Sequence, residues 1–180
     1  MSESFKLPRT LLILDYLLVA TNIVGWVITL MYYHYVYTLH ENPLLCHGNL
    51  FGLQINCAKV ATSPYSYVPL PGGVKVPIAL IAVAWFSTKA ILCIYYILYD
   101  RRLIDAILIL SAIGVPLIPY LLYIELVDVH ALCTYCTFLQ SFIVITLIVA
   151  IEIKLYMRKM RISMSQLSTG SIEMSGQEKR

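Results

Sequence analysis

The sequence predicts an all-α membrane protein: a bundle of four transmembrane helices with both termini in the cytoplasm and one long extracytoplasmic cap loop. Hydrophobic residues make up 59% of the 180 residues and charged residues only 13%, whereas a soluble domain carries about 25% charged residues. The hydrophobic residues concentrate in four stretches, and each is long enough to cross a hydrocarbon core of about 30 Å. Basic residues cluster on one side of the four spans that these stretches define.

This composition excludes a soluble enzyme and a secreted disulfide scaffold. The net charge is only +3, and the basic residues lie at the ends of the apolar stretches. We therefore expect no nucleic-acid partner, and the lipid bilayer is the environment that the sequence predicts.

The four spans are predicted at residues 10–33, 76–99, 103–122 and 131–153. The first is longer than the apolar core of a signal peptide, about 7–15 residues, and no small-x-small cleavage site follows it, so we expect it to be retained. Spans two and three are joined by residues 100–102 and must be antiparallel neighbours. We predict one catalytic membrane domain over 1–155, with the cap loop at 34–75, and a mobile cytoplasmic tail at 156–180 that is rich in Ser, Met and Gly.

The distribution of Lys and Arg predicts the orientation of the chain in the membrane. Only Lys59 and Lys75 lie on the side of the cap loop. The basic residues on the other side are Lys6, Arg9, Arg101, Arg102, Lys154, Arg158, Lys159, Arg161, Lys179 and Arg180. Because cytoplasmic loops carry the excess of Lys and Arg, the termini are predicted in the cytoplasm and the loop 34–75 outside.

Four of the five cysteines lie on the outer side of this topology. Cys46 and Cys57 are in the cap loop, and Cys133 and Cys136 are at the outer end of span four. Disulfides persist outside the cytoplasm, so we predict a prokaryotic plasma membrane, or the endoplasmic reticulum of a eukaryote, with the active site on the outer or luminal side. The fifth, Cys93, lies inside span two and is interpreted as a small packing residue.

Lys89, in the same span as Cys93, is a charged residue within a transmembrane segment. Such residues are functional-site candidates. A long Lys side chain can also extend toward the membrane surface, or pair with Asp15 or Asp105. We favour one of these two structural roles.

Residues 133–136 form a C-x-x-C motif in the first turn of the fourth helix. Cysteines three residues apart on a helix have Cβ atoms about 5–6 Å apart, so a modest adjustment forms a disulfide. The free N–H groups and positive dipole end of a helix N-terminus stabilise a thiolate, which is the nucleophile in disulfide exchange. His130, three residues upstream, adds to this effect when protonated.

Two structural interpretations compete with a redox role for these cysteines. Cys133 and Cys136 could form an inert disulfide, and Cys46 and Cys57, with ten residues between them in a loop, are typical of one. Four thiolates could also bind zinc, but one pair would have to reach from a membrane-embedded helix end, so we expect no metal. Two pairs at the mouth of one bundle can instead relay electrons by thiol–disulfide exchange.

Two segments resemble the vitamin K epoxide reductase family, above all its bacterial and archaeal homologues. Residues 57–66 resemble the family's Cys-x-x-Val-x-x-Ser-x-Tyr segment. Residues 120–126 followed by 130–136 resemble the segment that leads into the family's active-site C-x-x-C. The order of loop cysteines, serine, two spans and C-x-x-C is also similar, and the resemblance extends over about residues 10–153.

The resemblance implies a four-helix bundle around a quinone pocket, with the cap loop over its mouth. It implies that Cys133 and Cys136 are the catalytic pair and that Cys46 and Cys57 are the shuttle pair that reduces it. Ser63 matches the serine of the loop segment and, like His130, is a supporting residue. Candidate residues for quinone binding are Gln140, Tyr135, Trp85 and Tyr120. Gln140 stands where the vertebrate enzymes have Tyr.

The function predicted on this basis is a quinone-dependent thiol–disulfide oxidoreductase that supports disulfide-bond formation. Electrons would pass from an extracytoplasmic thioredoxin-like partner to the loop pair, then to the C-x-x-C pair, and on to ubiquinone or a quinone of the menaquinone or vitamin K type. We expect the partner to be a separate protein. Reduction of vitamin K quinone or its epoxide by the same cysteines is an alternative. A non-enzymatic four-span protein with structural disulfides is another.

Overall fold

The computed structural model describes residues 9–50 and 52–177, with the side chains of residues 9–49 and 52–162. In this part of the chain, four helical segments are long and apolar enough to cross a membrane: Arg9–Thr38, Ile78–Leu98, Arg101–Asp128 and Thr134–Ile162. The predicted fold class, a four-helix membrane bundle, is therefore confirmed. Three of the basic residues used to predict the orientation, Lys6, Lys179 and Arg180, lie outside the described residues.

The first and third spans each end in a π-helical turn. The first span consists of α1 (Arg9–Tyr33) and the turn His34–Thr38. The third span contains α4 (Ile104–Gly114), α5 (Leu117–Tyr123) and the turn Ile124–Asp128. The third span is therefore longer than the predicted 103–122 and is interrupted before α5. Pro116 and Pro119 explain the break, because proline has no N–H to donate and its ring collides with the preceding turn.

The second and fourth spans are single helices, α3 (Ile78–Leu98) and α6 (Thr134–Gln177). Helix α6 continues through most of the segment 156–180, for which we predicted a mobile tail. Its mobility stays a prediction, and its last three residues, 178–180, lie outside the described residues.

The segment between the first two spans contains one short helix and several short strands. The helix is α2 (Cys57–Ala61), and a 3₁₀ turn follows at Pro64–Ser66. The strands are β1 (Asn49–Leu50), β2 (Leu53–Ile55), β3 (Tyr67–Pro69) and β4 (Lys75–Pro77), and β5 (Ala131–Leu132) directly precedes α6. Strand β2 pairs antiparallel with β1 and parallel with β5. The parallel pair joins the loop to the start of the fourth span.

Helix α1 packs against both α3 and α6, and α4 packs against α6. Gly25 permits a close approach in this bundle, since a Cβ atom there would lie only 2.6 Å from a ring carbon of Phe86. The loop and the cysteine pairs lie at one end of the bundle, which we call the cysteine end. At the opposite end Asp15 accepts hydrogen bonds from Tyr96, at 2.6 Å, and from Arg101, at 2.9 Å.

Lys89 has neither of the structural roles predicted for it. Its side chain is fully buried in the bundle, and its Nζ atom has no hydrogen-bond partner among the described residues. Asp15 is bound by Arg101, and Asp105 is paired with Lys154 at 2.9 Å. Lys89 lies instead on the inward face of α3, with Nζ 5.4 Å from the centre of the Phe86 ring.

Candidate active site

The parallel pair of β2 and β5 brings the two cysteine pairs together. In its register Ile55 is opposite Leu132, and the N–H of Asn56 donates to the carbonyl of Leu132 at 3.0 Å. Because parallel strands run in the same direction, the residues that directly follow the two strands lie next to each other. Cys57 and Cys133 are among these residues, and both are fully buried in one cluster with Cys46.

The loop pair is oxidised. Cys46 and Cys57 form a disulfide with their Cα atoms 5.5 Å apart. Cys57 begins α2, and the side chains of two asparagines accept hydrogen bonds from the free N–H groups there. Asn56 accepts the N–H of Lys59 at 2.9 Å, and Asn42 accepts the N–H of Ala58 at 2.8 Å. Asparagine is a preferred helix cap, and these caps hold Cys57 at the start of the helix.

The C-x-x-C pair is reduced and lies at the start of α6. Cys133 and Cys136 are free thiols. The sulfur of Cys133 accepts the N–H of Cys136 at 3.2 Å, which is the bond that a Ser or Asp side chain makes at a helix N-cap. The same donor stabilises the sulfur when it carries negative charge. The hydroxyl of Thr134 donates to the carbonyl of Leu45 at 3.0 Å and ties this helix end to the loop beside Cys46.

A cavity of about 180 Å³ opens beside Cys136, and its lining is almost entirely apolar. Helices α3, α5 and α6 form most of the wall, and the loop residues after Cys57 cover one side. Its polar groups include the indole of Trp85 and the amide of Gln140, both predicted to bind a quinone. Neither Trp85 Nε1 nor Gln140 Nε2 has a hydrogen-bond partner among the described residues. The cavity thus offers two N–H donors without acceptors.

The other two candidates for quinone binding do not line this cavity. The side chain of Tyr120 is 60% exposed on the outside of the bundle. Tyr135 is buried, but its ring stacks on Tyr32 with the ring centres 5.9 Å apart.

The two supporting residues lie at the edges of the site. The hydroxyl of Ser63 shares a hydrogen bond of 2.9 Å with that of Ser66, which donates in turn to the carbonyl of Val60 and lines the cavity. Ser63 thus contributes to the cover of the cavity indirectly. His130 is exposed, and its Nδ1 atom bonds to the carbonyl of Leu126 at 3.0 Å in a left-handed turn with φ of 49°.

Two buried side chains of this site were not predicted from the sequence. Glu125 lines the cavity, and one of its carboxylate oxygens accepts the N–H of Cys133 at 3.0 Å. Its carboxylate is also within hydrogen-bonding reach of the Cys136 thiol. The hydroxyl of Tyr32 is within reach of both thiols. An acidic residue within a span is itself a signal of function and could have identified Glu125, whereas Tyr32 is one of many tyrosines and carries no such signal.

No group of three or more His, Cys, Asp or Glu side chains that could hold a metal ion is found among the residues whose structure is described. The two thiol pairs share one buried cluster, but one pair is closed as a disulfide. The site places a disulfide, a dithiol and an apolar cavity next to one another in that spatial order. This order suits the transfer of electrons.

Comparison with known proteins agrees with this chemistry. A comparison with individual characterised proteins finds no match. The sequence model of the vitamin K epoxide reductase family, however, matches residues 16–151. That range contains all four spans over most of their length, all five cysteines and every residue that lines the cavity. The chain therefore belongs to the vitamin K epoxide reductase family and is a multi-pass membrane oxidoreductase of the kind that acts on quinones or their epoxides through cysteines.

Proposed function

We propose that this protein oxidises an extracytoplasmic thioredoxin-like partner and passes the electrons to a membrane quinone, so that it supports disulfide-bond formation. The observation that carries the proposal is the composition of the cavity beside Cys136. The cavity combines an apolar wall, a reduced thiol and two N–H donors that lack acceptors. A quinone has the complementary chemistry, because it is an apolar ring with two carbonyl oxygens that accept hydrogen bonds and accept electrons.

The two free donors make this match specific. A buried N–H without a partner costs about 1–3 kcal/mol, so a ligand that supplies an acceptor is favoured over a purely apolar one. Trp85 approaches from α3 and Gln140 from α6, on different walls of the cavity. We propose that each donates to one carbonyl oxygen of the quinone ring, whereas Tyr120 and Tyr135 do not contact it.

The electron path that we propose is supported by the shared cluster of Cys46, Cys57 and Cys133 and by the position of Cys136 beside the cavity. A partner dithiol reduces the Cys46–Cys57 disulfide and becomes a disulfide itself. The Cys57 thiolate then attacks the sulfur of Cys133 in the oxidised C-x-x-C pair, which breaks the Cys133–Cys136 bond and releases Cys136. Attack of Cys46 on Cys57 re-forms the loop disulfide and leaves Cys133 and Cys136 as a dithiol. Two electrons have then moved from the loop pair to the C-x-x-C pair.

The last step oxidises this dithiol. The Cys133–Cys136 bond forms, two electrons go to the quinone in the cavity, and its two oxygens take up two protons to give a hydroquinone. On this proposal, a loop disulfide together with free Cys133 and Cys136, which is how the described cysteines are bonded, is the state from which this step starts. Cys136 lines the cavity, so its sulfur is the one that faces the quinone.

We further propose that the cysteine end faces the outside of a prokaryotic plasma membrane. The side chains of Arg101 and Lys154 lie at the opposite end of the bundle, in ion pairs with Asp15 and Asp105. The excess of basic residues there favours a cytoplasmic location for that end. An oxidising compartment at the cysteine end would keep the loop disulfide formed.

The test is the reduction of a quinone by the purified protein in detergent, followed by its absorbance, with dithiothreitol or a reduced thioredoxin-like protein as electron donor. The rate without protein is subtracted. We expect Cys136→Ala to abolish the protein-dependent rate and Cys93→Ala, which removes a buried thiol far from the cavity, to retain it. Equal rates for the two variants would contradict the proposal.

A further inference from the structure

The carboxylate of Glu125 lies where the reactive thiols meet the cavity. Its side chain is only 3% exposed. One oxygen accepts the N–H of Cys133 at 3.0 Å, the carboxylate is within hydrogen-bonding reach of the Cys136 thiol, and the residue lines the cavity. Glu125 therefore lies next to both the group that gives up electrons and the space that receives them.

No cation neutralises Glu125 in the described part of the chain. The two ion pairs found there, Arg101–Asp15 and Lys154–Asp105, lie at the opposite end of the bundle. The titratable groups that face the cavity with Glu125 are the thiol of Cys136 and the phenols of Tyr32, Tyr37 and Tyr65. A buried carboxyl group without a fixed counter-ion is costly to keep charged, and such a group readily exchanges a proton with its neighbours.

The backbone directs Glu125 inward through the π-helical turn Ile124–Asp128, in which the N–H of Val129 donates to the carbonyl of Ile124 at 2.9 Å. Turns of this kind are rare and are frequent at functional sites. The same turn holds a second carboxylate, Asp128, whose side chain is exposed. Two carboxylates three residues apart thus have opposite surroundings, and only one of them reaches the thiols.

The proposed reaction requires a group that handles protons at this point. Oxidation of the dithiol to a disulfide releases two protons, and the quinone oxygens take up two. The polar groups within hydrogen-bonding reach of the Cys136 thiol include the Glu125 carboxylate and the Tyr32 hydroxyl. Of the two, the carboxylate is the group that can accept a proton near neutral pH, since an ordinary tyrosine is already protonated there.

We propose that Glu125 is the catalytic base that accepts the proton of the Cys136 thiol and delivers it to an oxygen of the bound quinone. The S–H bond of Cys136 breaks as an O–H bond forms on Glu125. The two sulfurs bond to each other as two electrons go to the quinone, and Glu125 then returns to its carboxylate form. The second proton, from Cys133, passes through the hydroxyl of Tyr32 to the other oxygen of the quinone, since Tyr32 lies close to both thiols and lines the cavity. This inference rests on the proposed quinone reduction.

The test compares Glu125→Gln with Asp128→Asn. The glutamine keeps the shape of Glu125 and an oxygen that can accept the Cys133 N–H, but it cannot take up a proton. The asparagine makes the same chemical change on the exposed side of the same turn. We expect Glu125→Gln to lower the rate of quinone reduction about 10²–10⁴-fold, the usual contribution of a general base, and Asp128→Asn to keep the wild-type rate.

A second measurement observes the contact between Glu125 and the thiols without any quinone. Infrared difference spectra between the oxidised and dithiothreitol-reduced C-x-x-C pair report changes in the hydrogen bonding of carboxyl groups, and on our proposal the Glu125 carboxylate loses the Cys136 S–H as a donor when the disulfide forms. We expect a carboxyl band in the wild type and in Asp128→Asn that is missing from Glu125→Gln. If Glu125→Gln does not fold, Glu125→Asp replaces it, and we expect that variant to keep the band at a reduced rate.

The two measurements separate this inference from the proposed function. A wild type that reduces no quinone but shows the Glu125-dependent band would overturn the proposed function and support the hydrogen bond between Glu125 and the thiols on which its role as a base depends. A wild-type rate in Glu125→Gln, or a band that survives this substitution, would overturn the role of Glu125 and leave quinone reduction standing.

Discussion

At the scale of single residues, the bundle contains polar atoms whose surroundings offer them no partner. Lys89 Nζ, Asn22 Oδ1 and Ser111 Oγ are all buried and without hydrogen-bond partners among the described residues. They lie on α3, α1 and α4 respectively. None of these three atoms has a part in the proposed chemistry, unlike the unpartnered nitrogens of Trp85 and Gln140, which face the cavity. Lys89 is the most costly of them, because a buried amine that faces only the Phe86 ring loses its hydration without gaining a hydrogen bond.

We predict that Lys89→Met stabilises the protein. Methionine has a similar length and flexibility, fills the same space and needs no partner, so the free energy of unfolding should rise by at least about 1 kcal/mol. Thermal unfolding in detergent measures the effect. The matched control is Lys154→Met, which breaks an exposed ion pair with Asp105 and should change stability by less than about 1 kcal/mol. A loss of stability in Lys89→Met would show that the amine has a partner, such as a buried water.

At the scale of elements, the position of Cys57 depends on how the short helix α2 begins. Its free N–H groups are accepted by Asn56, directly before the helix, and by Asn42, from an earlier part of the loop. The hydrogen bond to Asn42 also joins α2 to the loop segment that carries Cys46. Both sulfurs of the disulfide are buried, with Cys46 1% and Cys57 0% exposed, so a reductant reaches them only when this part of the loop opens.

We predict that Asn42→Ala makes the loop disulfide easier to reduce. Loss of a helix cap costs about 1 kcal/mol, which increases the open population of the loop about five-fold if the bond breaks on opening. The rate at which dithiothreitol reduces Cys46–Cys57, followed by alkylation and mass spectrometry, should rise by that factor. Asn49→Ala changes an exposed residue of the same loop and should leave the rate unchanged. Equal rates in both variants would show that opening does not involve α2.

The elements also show how far the sequence could predict this site. Hydropathy and length predicted four spans, and the spacing of the cysteines placed the C-x-x-C motif at a helix start, because both are local patterns. The approach of Cys57 to Cys133 depends on the pairing of β2 with β5, strands of three and two residues, too short to show an alternating pattern. The inward direction of Glu125 depends on a π-helical turn, whose extra residue per turn shifts side chains off the ordinary helical period.

At the scale of the whole molecule, the fold arranges the proposed reactants in one direction. The loop disulfide, the sulfur of Cys133, the thiol of Cys136 and the cavity follow one another from the loop into the bundle. On the proposed relay, position as well as reactivity favours one order of exchange. The relay then requires that Cys57 reacts with Cys133 and that Cys136 is the sulfur released.

We predict that Cys136→Ser accumulates a disulfide between Cys57 and Cys133. Without the thiol of Cys136, Cys133 can no longer form the C-x-x-C disulfide, and on the proposed relay its exchange partner is Cys57, which follows the paired strands as Cys133 does. Peptide mapping by mass spectrometry under non-reducing conditions identifies the bond. Cys133→Ser is the control, since it removes the sulfur that is attacked and should yield no such bond. Recovery of the Cys46–Cys57 disulfide alone in Cys136→Ser would contradict the relay order, because an attack of Cys57 on Cys133 has to pass through the trapped species.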